Sequence, residues 1–400
     1  MRYTPRVFDT IAEVTPTDWD AVCREAGAGL FMDRRLIAAV EAGMAKTCRF
    51  RYVIIVDGDE RPVGCACLST LRLDLADVAD PRAAAVLRRL PSLVRRLLEV
   101  VILFCGLPLS AGQSSLACTP SADRERIVRV LNDLMSGIAR EHGARLISFK
   151  EFDAASAQRM SALHDAGFSL FETPPMHVFS PVFRNLDEYC RALKSHYRSQ
   201  ILISRHKRER GGVTVSIVTD PAEQARCYTR AVHQLYVAVV NRAETKLETL
   251  TREFFLALAD RLAPQLALIV LRKGDAVVAF SWIASTDREC CILFAGVRDD
   301  LNHAFDLYFN VMYESLDFAL RQGVAAIQVG QSADGFKARL GCQNERRLVY
   351  VRGVGAFMAL ILRHVLIKLV PAPTPVPVFD IYRVDARPPV HAAAMTAGSR

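Results

Sequence analysis

The alternation of apolar and polar residues splits the chain into two halves that follow one order. In the first half, Thr15–Gly27 opens with Thr-Pro and ends in Gly-Ala-Gly, the marks of a capped helix, and 33–43 carries a second helical stripe. RYVIIV (51–56), a DGDERP turn and VGCACLSTLRLD (63–74) predict strand, tight turn, strand. A basic helix over 81–100, a buried strand VILFCG (101–106), a long helix over 121–142 and a strand over 145–149 come next. A helix over 154–166 and a strand near 176–179 close the unit.

The second half repeats the plan: helices within 186–210 and, broken, within 221–263, then strand, Gly-Asp turn and strand over 266–286. A strand over 290–297, a helix over 302–322, a strand over 325–329, a short helix over 334–340 and a strand over 347–352 complete it. Gly58 matches Gly274, Gly106 matches Gly296, and Gly143 matches Gly323. The predicted fold class is a duplicated mixed-sheet α/β (α+β) design, with domains over 1–180 and 181–385 and a disordered tail over 386–400. The apolar stretch 355–370 is interrupted by Arg363, His364 and Lys368, so it packs on the core or lies on a membrane rather than crossing one. PAPTPVPV (371–378) reads as a stiff proline segment, and FDIYRV (379–384) as an edge strand.

Four hundred residues, 51% of them hydrophobic, suffice for two good cores and exclude a disordered chain. The opening MRYTPRVFDTIAEV lacks the apolar run of a secretory signal, which points to the cytoplasm. The 11 cysteines form no CxxC pair and read as reduced core residues. His196, His206, His233 and His303 form no metal-ligand pattern, and no metal is expected.

The formal charge of +8 is unevenly spread: residues 191–210 hold seven Lys/Arg against one Glu. That stretch is either a solvated helix face or a contact for a polyanion such as nucleotide phosphate, RNA or acidic lipid. A smaller cluster, Arg88, Arg89, Arg95 and Arg96, reads as a solvated face.

The densest candidate chemistry lies in one turn present only in the second half: Gly330, Gln331, Ser332, Asp334, Lys337 and Arg339. Asp334 is a helix-terminus charge or an acid/base, and Ser332 is a competing cap. Lys337 and Arg339 are surface charges or ligands for a phosphate or carboxylate. Asp306, Asn310 and Tyr313 share one helical face by spacing and predict an acceptor pocket, with Tyr308 beside them, or else a solvated helix side. Lys194, Tyr197 and Arg198 share a face of the basic helix. Tyr197 is a leaving-group acid or a half-buried aromatic, while Lys194, Arg198 and Arg205 suit a donor's phosphates.

The order of elements resembles two tandem GNAT-type acetyltransferase domains, as in the BioF2-like and FemAB-like acyltransferase group. The resemblance covers roughly residues 15–355 and rests on LKSHYRSQILISRHKRE (193–209), FAGVRDDLNHAFDLYFNVMYESLDFALRQG (294–323) and VGQSADGFKARLGC (329–342). It implies an N-acyltransferase with no permanently bound cofactor, using acyl-CoA, an acyl carrier protein or an aminoacyl-tRNA as donor. A small-molecule or peptide amine would be the acceptor, and Asp334, Asp306 and Tyr197 the catalytic candidates. Gln331, Ser332, Lys337, Arg339, Asn310 and Tyr308 would bind substrate. Two features depart from the pattern: there is no clear glycine loop for a CoA pyrophosphate, GLPLSAGQSS (106–115) with its two glycines and small residues offering only a weak phosphate cradle and GVRDDLNHAF (296–305) being acidic, and no heptads mark a tRNA-binding arm. A non-catalytic RNA- or membrane-binding role on a degenerate GNAT fold is the rival expectation.

Overall fold

The structure is a computed structural model describing residues 2–77, 79, 81–89, 91, 95, 98–109, 112–242, 249–362 and 376–386. The expected disordered tail beyond Ala386, most of the proline segment, Arg96 and the 363–370 end of the apolar stretch lie outside these residues.

Thirteen strands form one sheet among the described residues. The first half contributes β1 (Thr4–Phe8), β2 (Cys48–Val56), β3 (Pro62–Asp74), β4 (Glu99–Cys105), β5 (Leu116–Cys118), β6 (Leu146–Phe152) and β7 (Ser169–Phe179). The second contributes β8 (Val213–Val218), β9 (Leu266–Lys273), β10 (Ala276–Ser285), β11 (Glu289–Val297), β12 (Ala326–Gly330) and β13 (Gln343–Gly353). Their spatial order is β1-β2-β3-β4-β6-β13-β7-β12-β11-β10-β9-β8, with β5 on β3. Read from either end, the order is the same. Only β4–β6 and β11–β12 pair in parallel; the other pairs are antiparallel.

The centre of this palindrome is an exchange. β7, the last strand of the first half, pairs with β12 and β13 of the second. β13, the last strand of the second half, pairs with β6 and β7 of the first. Each half therefore completes its sheet with a strand of the other. Local periodicity sees only that a strand is present and cannot see which neighbour it takes.

Helices cover both faces. Pro16–Ala26, Arg34–Met44, Arg230–Arg242 and Arg252–Arg261 share one core with both halves of the sheet. On the opposite face, Arg124–His142 covers the first half, and Leu186–Ala192, Ser195–Arg210 and Leu307–Arg321 cover the second. Sequence explains the boundaries. Arg124–His142 starts where the Asp123 carboxylate accepts the Arg126 N–H, and stops at left-handed Gly143 (φ 66°).

The structure corrects several boundaries. The helix expected over 302–322 is broken by Asp306, left-handed at φ 47°, into Asp299–Phe305 and Leu307–Arg321. The helix over 154–166 is two short pieces, Ala154–Gln158 and Ala162–Asp165. Within the helix expected over 81–100, Pro81–Leu87 is helical, Arg88 and Arg89 turn, Arg95 is helical again, and β4 begins at Glu99. β1, β5 and β8 were not anticipated. Residues 379–384 form no strand, only a bridge from Leu193 to Tyr382.

Candidate functional site

The polar turn after β12 is built from two left-handed residues, Gly330 (φ 90°) and Ala333 (φ 60°), followed by the short helix Asp334–Arg339. Asp334 Oδ1 lies 2.9 Å from His177 Nε2 on β7. His177 is fully buried, so Nε2–H donates to the half-exposed carboxylate, and Nδ1 has no hydrogen-bond partner among the described residues. Burial pushes the imidazole below its ordinary value; the Asp334 carboxylate opposes that shift and the nearby Lys337 ammonium adds to it.

One turn on, Lys337 is 2% exposed. No hydrogen bond or ion pair joins its ammonium to another described residue. Burial pushes it down to about 8, against the pull of Cys342 and Asp334. A Cβ on Gly330 would stand 3.3 Å from Lys337 Nζ, so glycine lets the strand end pass beside the amine. The rings of Tyr308 and Tyr313 pack on Phe336 at 5.5 and 5.8 Å, backing the turn from the helix Leu307–Arg321. Burial drives the Cys342 thiol up to about 12, which removes it as a thiolate nucleophile.

The first half supplies an internal control. Aligning Gly143 on Gly323 puts Ala154 and Ala157 at the positions of Asp334 and Lys337. β13 brings Tyr350 into the place that β7 gives His177, and its hydroxyl donates to Ala157 O at 3.1 Å. The polar constellation thus exists only in the second copy.

The sheet opens beside this turn. β11 pairs with β12 only from Glu289 to Cys291, while β11 runs on to Val297. Where the strands part, β11 carries one residue, Leu293, in excess of β10. A bulge there redirects backbone N–H groups and leaves a main-chain edge without a ladder partner on the β12 side.

The remaining predicted residues divide. Gln331 donates to Pro174 O at 2.7 Å, so it too bridges to β7. Ser332 is exposed and caps nothing, and Arg339 is exposed with Nε on Gly335 O at 3.0 Å. Asp306 and Asn310 are engaged at the junction of two helices. Asp306 accepts from Ser204 at 3.0 Å and Lys207 at 2.8 Å. The fully buried Asn310 amide donates to the carbonyls of Ser204, Phe305 and Asp306, closing the break between the two helices. Helical spacing groups them, but Asp306 is itself the helix break, and the helix Ser195–Arg210 contacts both. Tyr197 is half-buried on the second-half core, against the His196 ring.

The basic stretch is largely neutralised. Lys194 pairs with Asp380, Arg205 with Asp187, Lys207 with Asp306 and Arg208 with Glu314. Arg198 is half-buried on the same helix. No hydrogen bond or ion pair links Lys194, Tyr197, Arg198 or Arg205 to His177, Asp334 or Lys337 among the described residues. In the loop 106–115 the carbonyls of Leu107 and Leu109 accept hydrogen bonds from Lys150 Nζ at 3.2 and 2.8 Å. No group of metal-ligating side chains occurs among the described residues, and no helix among them is long and apolar enough to cross a membrane.

A protein-family model for FemAB-like chains, described as peptidoglycan biosynthesis/recognition, matches residues 103–348. The chain belongs to the FemAB-like family. The solved structure of FemX superposes with a TM-score of 0.55 at 12% identity, covering 92% of this chain and 100% of that one. A tandem GNAT protein from the clavulanic acid biosynthesis pathway superposes with a TM-score of 0.52 at 12% identity, covering 88% and 99%. At that identity the likeness establishes the fold, which is the tandem GNAT fold expected from the sequence. A protein of two Mycobacterium tuberculosis strains, CDC 1551/Oshkosh and ATCC 25618/H37Rv, named 8-amino-7-oxononanoate synthase 2, is 26% identical over 290 residues, 70% of this chain. The chain spans 36% of the length of those relatives.

Sequence reasoning missed His177. It lies 157 residues upstream of Asp334, in the other half, and only the strand exchange brings the two together.

Proposed function

We propose that the chain transfers an acyl or aminoacyl group to an amine by direct attack at the turn Gly330–Arg339, with the donor lying along the unpaired edge of β11. The observation carrying this reading is the buried, unpaired Lys337 beside the Asp334–His177 pair at the mouth of a splayed GNAT sheet. Lys337 as ammonium donates a hydrogen bond to the carbonyl oxygen as negative charge develops there, and the N–H groups around Leu293 assist. Asp334, oriented by His177, takes a proton from the attacking amine directly or through water. The amine nitrogen bonds to the carbonyl carbon, the C–S or C–O bond breaks, and the leaving thiolate or alkoxide takes up a proton. Gln331 and Lys337 line the acceptor side. The donor is acyl-CoA, an acyl carrier protein or an aminoacyl-tRNA, and the acceptor a small-molecule or peptide amine.

The purified chain should be assayed with each donor class against a panel of amines, with and without ribonuclease. The reading predicts turnover with one donor class, reduced at least about 100-fold in Lys337→Met and Asp334→Asn. Turnover unaffected by both variants would refute it. The rival reading, polyanion binding without catalysis, is disfavoured because four cations of the basic stretch already have carboxylate partners.

A further inference from the structure

We infer that Glu289 is a positioning residue through which the first half fixes the root of the donor cleft and, by way of β12, the setting of Lys337; the inference rests on the transfer reading above. Glu289 opens β11 and stands on the first rung with Ala326, where the parallel pairing that precedes the splay begins. Its half-buried carboxylate has no cation partner among the described residues. N–H donors from three elements serve it instead: the Leu30 backbone at 2.9 Å, Gln113 Nε2 at 3.1 Å to both oxygens, and Gln328 Nε2 at 3.3 Å. Leu30 and Gln113 belong to the first half, and Gln328 to β12.

Both first-half contacts are built rather than incidental. A Cβ on Gly29 would stand 2.8 Å from Glu289 Oε1 and collide with Gln113, so the approach of Leu30 requires glycine there. Gln113 lies in the loop between β4 and β5, and that loop departs at the pseudo-equivalent of the Leu293 bulge: one extra residue in the second half is a long excursion in the first. Two buried cations hold the excursion by its carbonyls: Lys150 at Leu107 and Leu109, and Arg347 at Gly112. From Gln328 the path to the site is short. Gly330, two residues on, is the residue whose missing side chain leaves room for Lys337 Nζ.

Removing the Glu289 carboxylate should let the rung open, admit water to Lys337 and weaken the desolvation that sets its titration. Asp334 and Cys342 are the titratable groups that bear on Lys337, and Glu289 is not among them, so a change would travel through structure rather than through Coulomb interaction. The test is an NMR titration of the full chain labelled with 13Cε-lysine, the Lys337 signal being assigned by its loss in Lys337→Arg. The native midpoint is expected near 8. Glu289→Ala should move it upward by about one pH unit or more, with Glu289→Gln, which keeps the shape and one acceptor, moving it less. Gln113→Ala, on the loop side, should shift it the same way and serves if Glu289→Ala does not fold. Unchanged midpoints in folded Glu289→Ala, or in Gln113→Ala where the former does not fold, would overturn the inference. An ordinary lysine midpoint in the native chain would likewise overturn the inference, whereas the transfer reading falls only on turnover unaffected in Lys337→Met and Asp334→Asn, so the two failures are distinguishable.

Discussion

His177 and Asp334 stand 157 residues apart in the chain and 2.9 Å apart in space. The contact exists because β7 leaves its own half and lies between β12 and β13. An imidazole that is buried and held neutral by desolvation can fix a carboxylate without neutralising it. His177→Ala should therefore lower turnover about 10- to 100-fold through misplacement of Asp334, whereas Asp334→Asn, which removes the proton acceptor, should cost about 10²- to 10⁴-fold. Steady-state rates for both variants, with the donor found active, check the ranking. Tyr350→Phe, at the equivalent place in the first half, should leave turnover unchanged and cost about 1 kcal/mol of stability from its lost hydrogen bond to Ala157.

Lys337 gives the pH dependence its sign. The proposed role needs the ammonium, and burial lowers its pKa to about 8, so activity should fall as pH rises through that value. Lys337→Arg keeps the charge at every accessible pH and should displace or abolish this alkaline limb even if the maximum rate drops. Stability moves the other way. Between about 8 and the ordinary lysine value of 10.5 the unfolded chain binds the proton that the folded chain has released, so folding gains stability as pH rises across that window. The gain is on the order of 2–3 kcal/mol. Below it both states are charged and the penalty for the buried ammonium is constant. Denaturant midpoints at pH 7.5 and 10 (about the two ends of that window), compared between the native chain and Lys337→Met, isolate this contribution.

Much of this was legible because it is local. Gly143 and Gly323 end helices in the left-handed conformation, and both hairpins lie where their turn residues put them. Lys337 and Asp334 stand out as a polar burst present in one copy only. The rest is not local. Nothing in the alternation of β7 says that it pairs across the molecule, so His177 looked like one more strand residue. Asp306 and Asn310 show the converse limit: helical spacing groups them, but one breaks the helix and the other ties down the break. The charge of 191–210 misleads for a similar reason, since its carboxylate partners Asp187, Asp306, Glu314 and Asp380 are spread over nearly two hundred residues of sequence.

The exchange of β7 and β13 predicts that neither half folds alone. Expressed separately, 1–180 would have to expose β6 without its partner β13 and leave β7 with no neighbour from its own half; 181–400 faces the mirror problem at β12. Unpaired strand edges of this kind aggregate. Co-expression of the two pieces should yield a soluble complex that co-purifies at one-to-one ratio, while each alone should be insoluble or lack a cooperative thermal transition. A folded, monomeric 1–180 fragment would show that the exchange is dispensable.

Gly296 makes the most specific packing demand outside the site. A Cβ there would lie 2.8 Å from Tyr236 N and 2.9 Å from Leu235 C, both backbone atoms of the helix Arg230–Arg242, and would also meet the Phe280 ring. Rotamer changes can move the ring but not the helix backbone, so the helix itself must lift from β11. That helix contributes Tyr236, whose ring packs on Phe255 at 5.0 Å and Phe294 at 6.0 Å, in the core shared by both halves. Overpacking a well-filled core costs about 1–3 kcal/mol. Gly296→Ala should fall at the upper end of that range, because its φ lies outside the glycine-favouring region and the penalty is steric alone. Gly58→Ala, whose Cβ would meet nothing within 4 Å, should change stability by less than about 0.5 kcal/mol. Urea midpoints of the two variants against the native chain decide the matter; equal midpoints would mean that the helix yields at this contact without cost.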